Sequence, residues 1–277
     1  LLDICPKELN ENEVKQNLKL DSKKVKNRIV NDMFQKCIKS RPSPIYNKKF
    51  LDRIKLGNFE DDIDKISEVD WIIEVVVEKL DIKKSVFDLV EKHRKTGTII
   101  TSNTSGIPIK LMNEGRSDDF KECFAITHFF NPPRYLNLFE VVPGPDCKKE
   151  ILDFLLDYGE KFLGKTSVLA KDTPAFIGNR IGIFGIMSLF HQIKSGEYSV
   201  EEVDKLTGPA IGRPKSATFR TADIAGLDTM CHVANGVYEK CKDDESREVF
   251  KLPDFLQKML ENNMLGSKTC LLYTSDA

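Results

Sequence analysis

The chain has 277 residues and carries 42 Lys and Arg against 43 Asp and Glu, which gives a net charge of −1. This near-neutral balance argues against nucleic acid or an anionic membrane as the main partner, and 40% hydrophobic residues argue against intrinsic disorder. The sequence shows no apolar run of about 18 residues and no signal peptide, so a soluble protein without a membrane span is expected.

The chain begins with Leu1, Leu2, Asp3 and Ile4, which resemble the last half of a buried strand that ends in an acid. We therefore expect a segment before Leu1. A dinucleotide-binding fold opens with a strand and a glycine-rich turn that hold the pyrophosphate, and this sequence contains no GxGxxG.

Residues 7–57 are polar and are predicted to be helical, with a break at Arg41-Pro42-Ser43-Pro44 because proline cannot continue a helix. Eleven Lys or Arg residues and two Asp residues lie between Lys23 and Lys55. Two interpretations remain open for this stretch: a solvated basic face, or a landing site for a phosphorylated substrate tail.

Strands and helices then alternate along the chain. The run from Trp71 to Val77 is mostly β-branched, as expected of a strand covered on both faces of a parallel sheet. Further strands are predicted at 98–101, 124–126, 138–142 and 167–170, and helices at 83–93 and 149–163. This alternation predicts an α/β domain over residues 1–171 with a largely parallel sheet.

Beyond residue 171 the pattern changes to helices, predicted at 176–193, 199–207, 226–243 and 253–264. An all-α domain over residues 172–277 is therefore expected. Two domains also agree with the length, at roughly 150 residues per domain.

The seven cysteines form no CxxC pair and are odd in number, so the sequence predicts neither a disulfide framework nor a zinc site. There is no HExxH motif and no close cluster of His and Cys, so no metal is predicted. A reducing compartment, and hence a cytoplasmic location, is expected.

Polar residues follow the predicted strands, at the positions where open parallel sheets bind ligands. They include Glu78, the hydroxyl-rich run from Thr101 to Ser105, and His128; Glu140 ends a further apolar strand twelve residues after His128. A carboxylate near a histidine is the usual arrangement for a general base, because it fixes the tautomer and stabilises the imidazolium. From these residues alone, a purely structural role for His128 remains open.

Four motifs in the same order resemble the signature of the L-3-hydroxyacyl-CoA dehydrogenases of fatty-acid β-oxidation. They are Ser102–Ser105, His128–Pro132, Glu140–Val142 and Lys171–Arg180. The resemblance implies a Rossmann-type NAD domain, here without its first βα unit, followed by a helical domain that completes the acyl-CoA cleft and often forms a homodimer. Lys215–Thr218 resembles a bacterial subgroup in which an enoyl-CoA hydratase domain follows, so we expect a fragment of such a multifunctional protein.

The resemblance also implies the roles of catalytic residues. His128 matches the family's base and Glu140 the carboxylate that orients it, whereas Ser105 and Asn179 match residues that hold the reacting hydroxyl. Simpler interpretations of the last two remain: a turn or helix-cap residue for Ser105 and a helix-cap residue for Asn179.

On the cofactor side, Asp3 matches the acid that accepts from the adenosine ribose. This suits NAD, because a carboxylate would repel the 2′-phosphate of NADP. Glu78, Lys83 and Asn103 match residues that line the nicotinamide end. Asp3 as a solvated strand-end acid and Lys83 as a surface lysine are the alternatives.

The implied reaction is oxidation of a (3S)-3-hydroxyacyl-CoA to a 3-oxoacyl-CoA with NAD. One alternative is a non-catalytic relative that binds acyl-CoA or NAD, and another is a dehydrogenase of a small hydroxy acid. Because the pyrophosphate-binding turn is expected before Leu1, the isolated chain is predicted to bind NAD poorly and could be an inactive fragment.

Overall fold

The computed structural model describes residues 1–193 and 197–269. The chain divides into two compact units, Leu1–Ala170 and Lys171–Ala277. The elements of the first unit, in chain order, are β1 (Leu2–Asp3), α1 (Glu11–Lys15), α2 (Lys23–Lys26), α3 (Arg28–Lys39), β2 (Gly57–Asn58), β3 (Trp71–Glu74), α4 (Leu80–His93), β4 (Ile99–Ser102), α5 (Ile109–Asn113), α6 (Asp118–Glu122), β5 (Phe124–Phe129), β6 (Leu138–Pro143), α7 (Lys149–Lys161) and β7 (Thr166–Leu169).

The first unit has a five-stranded sheet in the order β3-β4-β5-β6-β7 and a separate two-stranded sheet of β1 and β2. All neighbouring strands run parallel except β5 and β6, which are antiparallel. Parallel strands joined by helices are typical of α/β folds, so the predicted fold class is confirmed. The antiparallel pair is a hairpin that the sequence alone did not single out.

The strand that begins at Trp71 is shorter and more exposed than its sequence predicts. It ends at Glu74, and Val75 and Val77 beyond it are 67% and 59% exposed. Within the described residues β3 pairs only with β4, so it forms the edge of its sheet. The prediction of a strand through Val77, covered on both faces, was therefore wrong, because burial depends on neighbouring strands that the run itself does not reveal.

The polar region before β3 is less helical than predicted. It contains α1, α2, α3 and a short 3-10 helix over Lys48–Arg53, separated by the expected break around Pro42 and Pro44. It ends in β2, two buried residues that pair with β1 and that no sequence pattern indicated.

Three fully buried aromatic rings fix the start of β5. Phe124, its first residue, stacks on Phe120 at 5.3 Å between ring centroids, and both contact Phe87 of α4 edge-on. Burying three large rings is a major part of the hydrophobic stabilisation here. The cluster holds α4 and α6 against the strand that carries His128.

Helix α7 contacts the sheet through a glycine. A Cβ atom on Gly159 would lie 2.4 Å from Ser167 Oγ and 2.7 Å from a ring carbon of Phe139. The absent side chain therefore allows the helix to approach β6 and β7 closely.

The second unit is helical, as predicted. Its helices are α8 (Gly178–Gln192), α9 (Val200–Thr207), α10 (Phe219–Ala225), α11 (Leu227–Lys240) and α12 (Asp254–Glu261). Its core joins residues such as Met187 of α8, Ala234 of α11 and Leu256 of α12, each at most 1% exposed. In the described part of the chain, no helix combines the length and the apolar character that crossing a bilayer requires.

Candidate active site

The candidate site lies where three parallel strands end. Glu74, the last residue of β3, is in register with Ser102, the last residue of β4, and Ser102 is in register with Ile126 of β5. The carboxyl ends of β3, β4 and β5 therefore meet at one edge of the sheet, which is where open α/β sheets bind ligands.

His128 and Glu140 face each other across the β5–β6 hairpin. They are direct register partners, and His128 Nδ1 lies 2.6 Å from Glu140 Oε2. Glu140 is fully buried and His128 is 6% exposed. A buried carboxylate at this distance can accept a hydrogen bond from Nδ1–H, which favours the tautomer with Nε2 free of a proton. The sequence placed Glu140 at the end of a strand, but it lies in the middle of β6.

Two neighbours hold the end of β5 that carries His128. The ring of Phe130 contacts the imidazole, with centroids 4.6 Å apart. Asn103 Oδ1 accepts a hydrogen bond from the backbone N–H of Phe129 at 2.9 Å, and the Asn103 N–H donates to Glu74 O. Asn103 thus links the ends of β3, β4 and β5 through its own hydrogen bonds.

Glu78 and Ser105 lie together on two adjoining loops. Glu78 Oε1 accepts from the backbone N–H of Ser105 at 3.3 Å and from the hydroxyl of Thr104. The Glu78 side chain is 40% exposed, so the group remains accessible at the edge of the sheet. The structure therefore brings Glu78, Asn103 and Ser105 together with the end of β5.

Lys83 is held by a carboxylate that the sequence analysis missed. Its Nζ lies 2.9 and 3.0 Å from the two carboxylate oxygens of Glu74 and 3.5 Å from Glu78 Oε2. Both Lys83 and Glu74 side chains are 1% exposed. The surface-lysine interpretation of Lys83 does not agree with this burial. A signal was present, because Glu74 is the one charged residue within the β-branched run from Trp71 to Val77.

Asp3 lies in the other sheet of the first unit. It ends β1, opposite Asn58 of β2, and its Oδ1 accepts a hydrogen bond from the backbone N–H of Ile4 at 2.8 Å. Asp3 is thus a strand-end acid, as expected, but the structure gives it no contact with the cluster at the ends of β3, β4 and β5.

Asn179 belongs to the second unit, where it is the second residue of α8 and is partly buried. The two residues Ala175 and Phe176, just before α8, have positive φ angles of 64° and 45°, which are uncommon for residues other than glycine. Both side chains are buried, and the Arg180 N–H donates to Ala175 O at 3.2 Å. This tight turn sets the direction in which α8 begins.

The residues at the edge of the five-stranded sheet fit a dinucleotide. Hydroxyl, amide and carboxylate groups of Ser105, Asn103 and Glu78 are gathered there and can hydrogen-bond a carboxamide and a ribose. Among residues 1–193 and 197–269, no group of three or more His, Cys, Asp or Glu side chains could hold a metal ion.

An α/β unit with polar strand ends, followed by a helical unit, is compatible with a Rossmann-type dinucleotide-binding domain followed by a helical domain. Residues 8–173 match the model of the 3-hydroxyacyl-CoA dehydrogenase NAD binding domain, and residues 176–271 match that of the C-terminal domain. The chain belongs to the 3-hydroxyacyl-CoA dehydrogenase family, as the motifs indicated.

Similar proteins agree with this assignment. A Bacillus subtilis protein named "Probable 3-hydroxyacyl-CoA dehydrogenase" is 52% identical over 97% of this chain and 34% of its own length. A Rickettsia prowazekii protein, whose name describes a trifunctional enzyme of a fatty acid oxidation complex, is 32% identical over 97% of this chain and 35% of its own length. The chain therefore spans about a third of these two relatives.

Solved structures show the same fold. The crystal structure of FadB2 from M. tuberculosis has a TM-score of 0.73 at 25% identity, covering 98% of this chain and 89% of that one. The (S)-3-hydroxybutyryl-CoA dehydrogenase PaaH1 from Ralstonia eutropha has a TM-score of 0.70 at 26% identity, covering 87% and 82%. The predicted order of a Rossmann-type domain followed by a helical domain is thus confirmed.

Proposed function

We propose that this protein oxidises (3S)-3-hydroxyacyl-CoA thioesters to 3-oxoacyl-CoA, with NAD as oxidant, in fatty-acid β-oxidation. The observation that carries the proposal is the buried contact of 2.6 Å between His128 Nδ1 and Glu140 Oε2. A protein that only binds its ligand has no need of such a pair, whereas alcohol oxidation requires a base.

His128 acts as the general base. Its Nε2 takes the proton of the C3 hydroxyl while the C3–H bond breaks and the C3–O bond becomes a carbonyl. Glu140 keeps the Nδ1–H tautomer and stabilises the imidazolium that forms. NAD, when bound, supplies the acceptor for the hydride that leaves C3.

Other residues orient the reactants in this proposal. Ser105, beside Glu78, holds the substrate hydroxyl, which is a positioning effect. Asn179, at the start of α8, keeps the role that the family resemblance implies. Glu78 and Asn103 border the nicotinamide end of the cofactor, and Asp3 accepts from the adenosine ribose. Lys83 is buried, so in this proposal it acts at the nicotinamide end by contacting Glu78 and not as an exposed cation.

The substrate tail is assigned to a basic region that we call the cationic segment, residues 36–55. Seven exposed cations lie in it: Lys36, Lys39, Arg41, Lys48, Lys49, Arg53 and Lys55. No ion pair with a carboxylate in the described part of the chain engages them. Such a surface suits the phosphates of coenzyme A. Charge reversal of Lys48 and Lys49 is expected to raise the KM for acyl-CoA, and an unchanged KM would contradict the assignment.

The test is the oxidation of NADH by acetoacetyl-CoA, with a chain extended upstream of Leu1 to include the expected first strand and glycine-rich turn, compared between the wild type and His128→Gln. Loss of a general base is expected to lower kcat by about 10² to 10⁴-fold. His93 offers a matched control, because its Nδ1 also lies 2.6 Å from a carboxylate oxygen, that of Asp64, but on the exposed end of α4. His93→Gln should keep the wild-type rate.

The competing function is that of a non-catalytic relative that binds acyl-CoA or NAD. It would be favoured if the wild type bound acetoacetyl-CoA and NADH without turnover. If His128→Gln kept the full rate, His128 would not be the base. From the resemblance of Lys215–Thr218 we further propose that an enoyl-CoA hydratase activity lies on the same polypeptide or in the same complex; the Rickettsia relative is named as a trifunctional enzyme.

A further inference from the structure

The loop that follows the catalytic hairpin strand touches a distant part of the sequence. Residues 130–137 connect β5 with β6, so they lie directly beyond His128 and before Glu140. Arg134 Nη1 donates to Ser43 O at 2.8 Å and to Ile45 O at 3.3 Å. The hydroxyl of Tyr135 donates to the same Ser43 carbonyl at 3.0 Å.

Aromatic rings complete this contact. The guanidinium carbon of Arg134 lies 5.1 Å from the ring centroid of Tyr46 and 5.1 Å from that of Tyr135. One guanidinium nitrogen donates to both carbonyls, and the planar group can also stack on aromatic faces, which an ammonium cannot do. We call Arg134, Tyr135, Ser43, Ile45 and Tyr46 the arginine clamp.

The other side of the loop is fixed independently. Lys165 Nζ donates to Leu136 O at 2.7 Å and to Pro133 O. Burial lowers the pKa of Lys165, as expected for an ammonium held against backbone rather than in open water. These contacts tie the loop to the residue before β7, and the arginine clamp ties residues 43–46 to the loop.

We propose that the arginine clamp positions the cationic segment beside the loop of the catalytic hairpin, so that the segment can hold the phosphate-bearing tail of the thioester. Arg134 is a positioning residue in this proposal, which rests on the proposed function for the nature of the substrate. Residues 43–46 lie within the segment, between Arg41 and Lys48, so the clamp holds both groups of exposed cations. Loss of the clamp frees that stretch and weakens binding of the tail without altering the His128–Glu140 pair.

The first test is the affinity for free coenzyme A, measured by calorimetry, which does not depend on turnover. Arg134→Ala is expected to weaken it about tenfold, the effect of losing roughly one charge-assisted hydrogen-bond contact. Arg134→Lys should stay close to Arg134→Ala, because it keeps the charge but not the planar group that stacks on Tyr46 and Tyr135. If Arg134→Lys restored the affinity, Arg134 would contact the phosphates directly and the positioning role would be wrong. Lys242→Ala, which removes one exposed charge from the second unit, is the control.

The second test is digestion by trypsin. Cleavage after Lys48 and Lys49 should be several-fold faster in Arg134→Ala and modestly faster in Tyr135→Phe, which loses only the hydroxyl. Equal cleavage rates in all variants would overturn the proposal.

A third comparison separates the clamp from the proposed reaction. With acetoacetyl-CoA, Arg134→Ala should raise KM and leave kcat nearly unchanged, whereas with acetoacetyl-N-acetylcysteamine, which lacks the nucleotide tail, neither should change. An equal loss of kcat/KM with both substrates would contradict the positioning role. If the wild-type chain extended upstream of Leu1 fails with both substrates, the proposed reaction is wrong, and coenzyme A binding and trypsin cleavage still decide on the clamp.

Discussion

Lys83 and Glu74 form an ion pair inside the first unit, with Nζ 2.9 and 3.0 Å from the two carboxylate oxygens. Glu74 also accepts from the backbone N–H of Val76 at 2.6 Å and from the hydroxyl of Ser102 at 2.5 Å. The carboxylate thus has donors on both oxygens, which is the condition for keeping a charge pair away from water.

Replacing Lys83 tests how much this ion pair contributes to the free energy of unfolding. Lys83→Met leaves Glu74 buried without its counter-charge, and we expect the free energy of unfolding to fall by about 3 to 5 kcal/mol. Urea denaturation measures the change. The next residue is the control: Lys84 pairs with Glu114 on the surface at 2.6 Å, so Lys84→Met should cost at most about 1 kcal/mol. Equal effects of the two substitutions would show that burial of the pair does not matter.

Two helical glycines should respond in opposite directions to alanine. Gly159→Ala is expected to destabilise by about 1 to 3 kcal/mol, because the new Cβ meets Phe139 and Ser167. Gly236, in α11, has no atom within 4 Å of the position of a Cβ, so alanine there should stabilise by about 0.5 to 1 kcal/mol. Thermal unfolding of both variants checks this, and a stabilised Gly159→Ala would refute the close approach of α7 to the sheet.

Acid should weaken a contact at the start of α8. The hydrogen bond from Arg180 lowers the pKa of Asp244, so this carboxylate stabilises the fold above its ordinary value of 3.8, and the contribution is lost as pH falls through the lowered pKa. Asp244→Asn should therefore be less stable than the wild type near neutral pH, by about 1 kcal/mol. The two stabilities should converge in acid, and a difference that is independent of pH would argue against the ion pair.

Much of the candidate site was predictable from local sequence. His128 and Glu140 lie in two consecutive predicted strands, twelve residues apart, so the sequence indicated the two residues, although not the antiparallel hairpin that brings them into register. Asn103 and Ser105 follow a strand whose end was visible in the pattern of apolar residues. The order of the four motifs indicated the 3-hydroxyacyl-CoA dehydrogenase family, and the matches to the two family models confirm it.

What the sequence did not show depends on contacts between distant segments. The sequence analysis did not single out Glu74, because its partner Lys83 is recognised only from the packing of α4 against the sheet. The two-residue strand β2 is too short for any periodicity, and it exists because β1 pairs with it. The contact of Arg134 with Ser43 joins residues 91 positions apart, beyond the reach of any local pattern.

The most direct test of the account is a double-mutant cycle on His128 and Glu140, scored by kcat for acetoacetyl-CoA reduction. If the two side chains act as one base, His128→Gln and Glu140→Gln each lower kcat by about 10² to 10⁴-fold, and the double variant is hardly slower than His128→Gln alone. If the two losses instead multiply in the double variant, the residues act independently, and the central claim that Glu140 works through the His128 imidazole is contradicted.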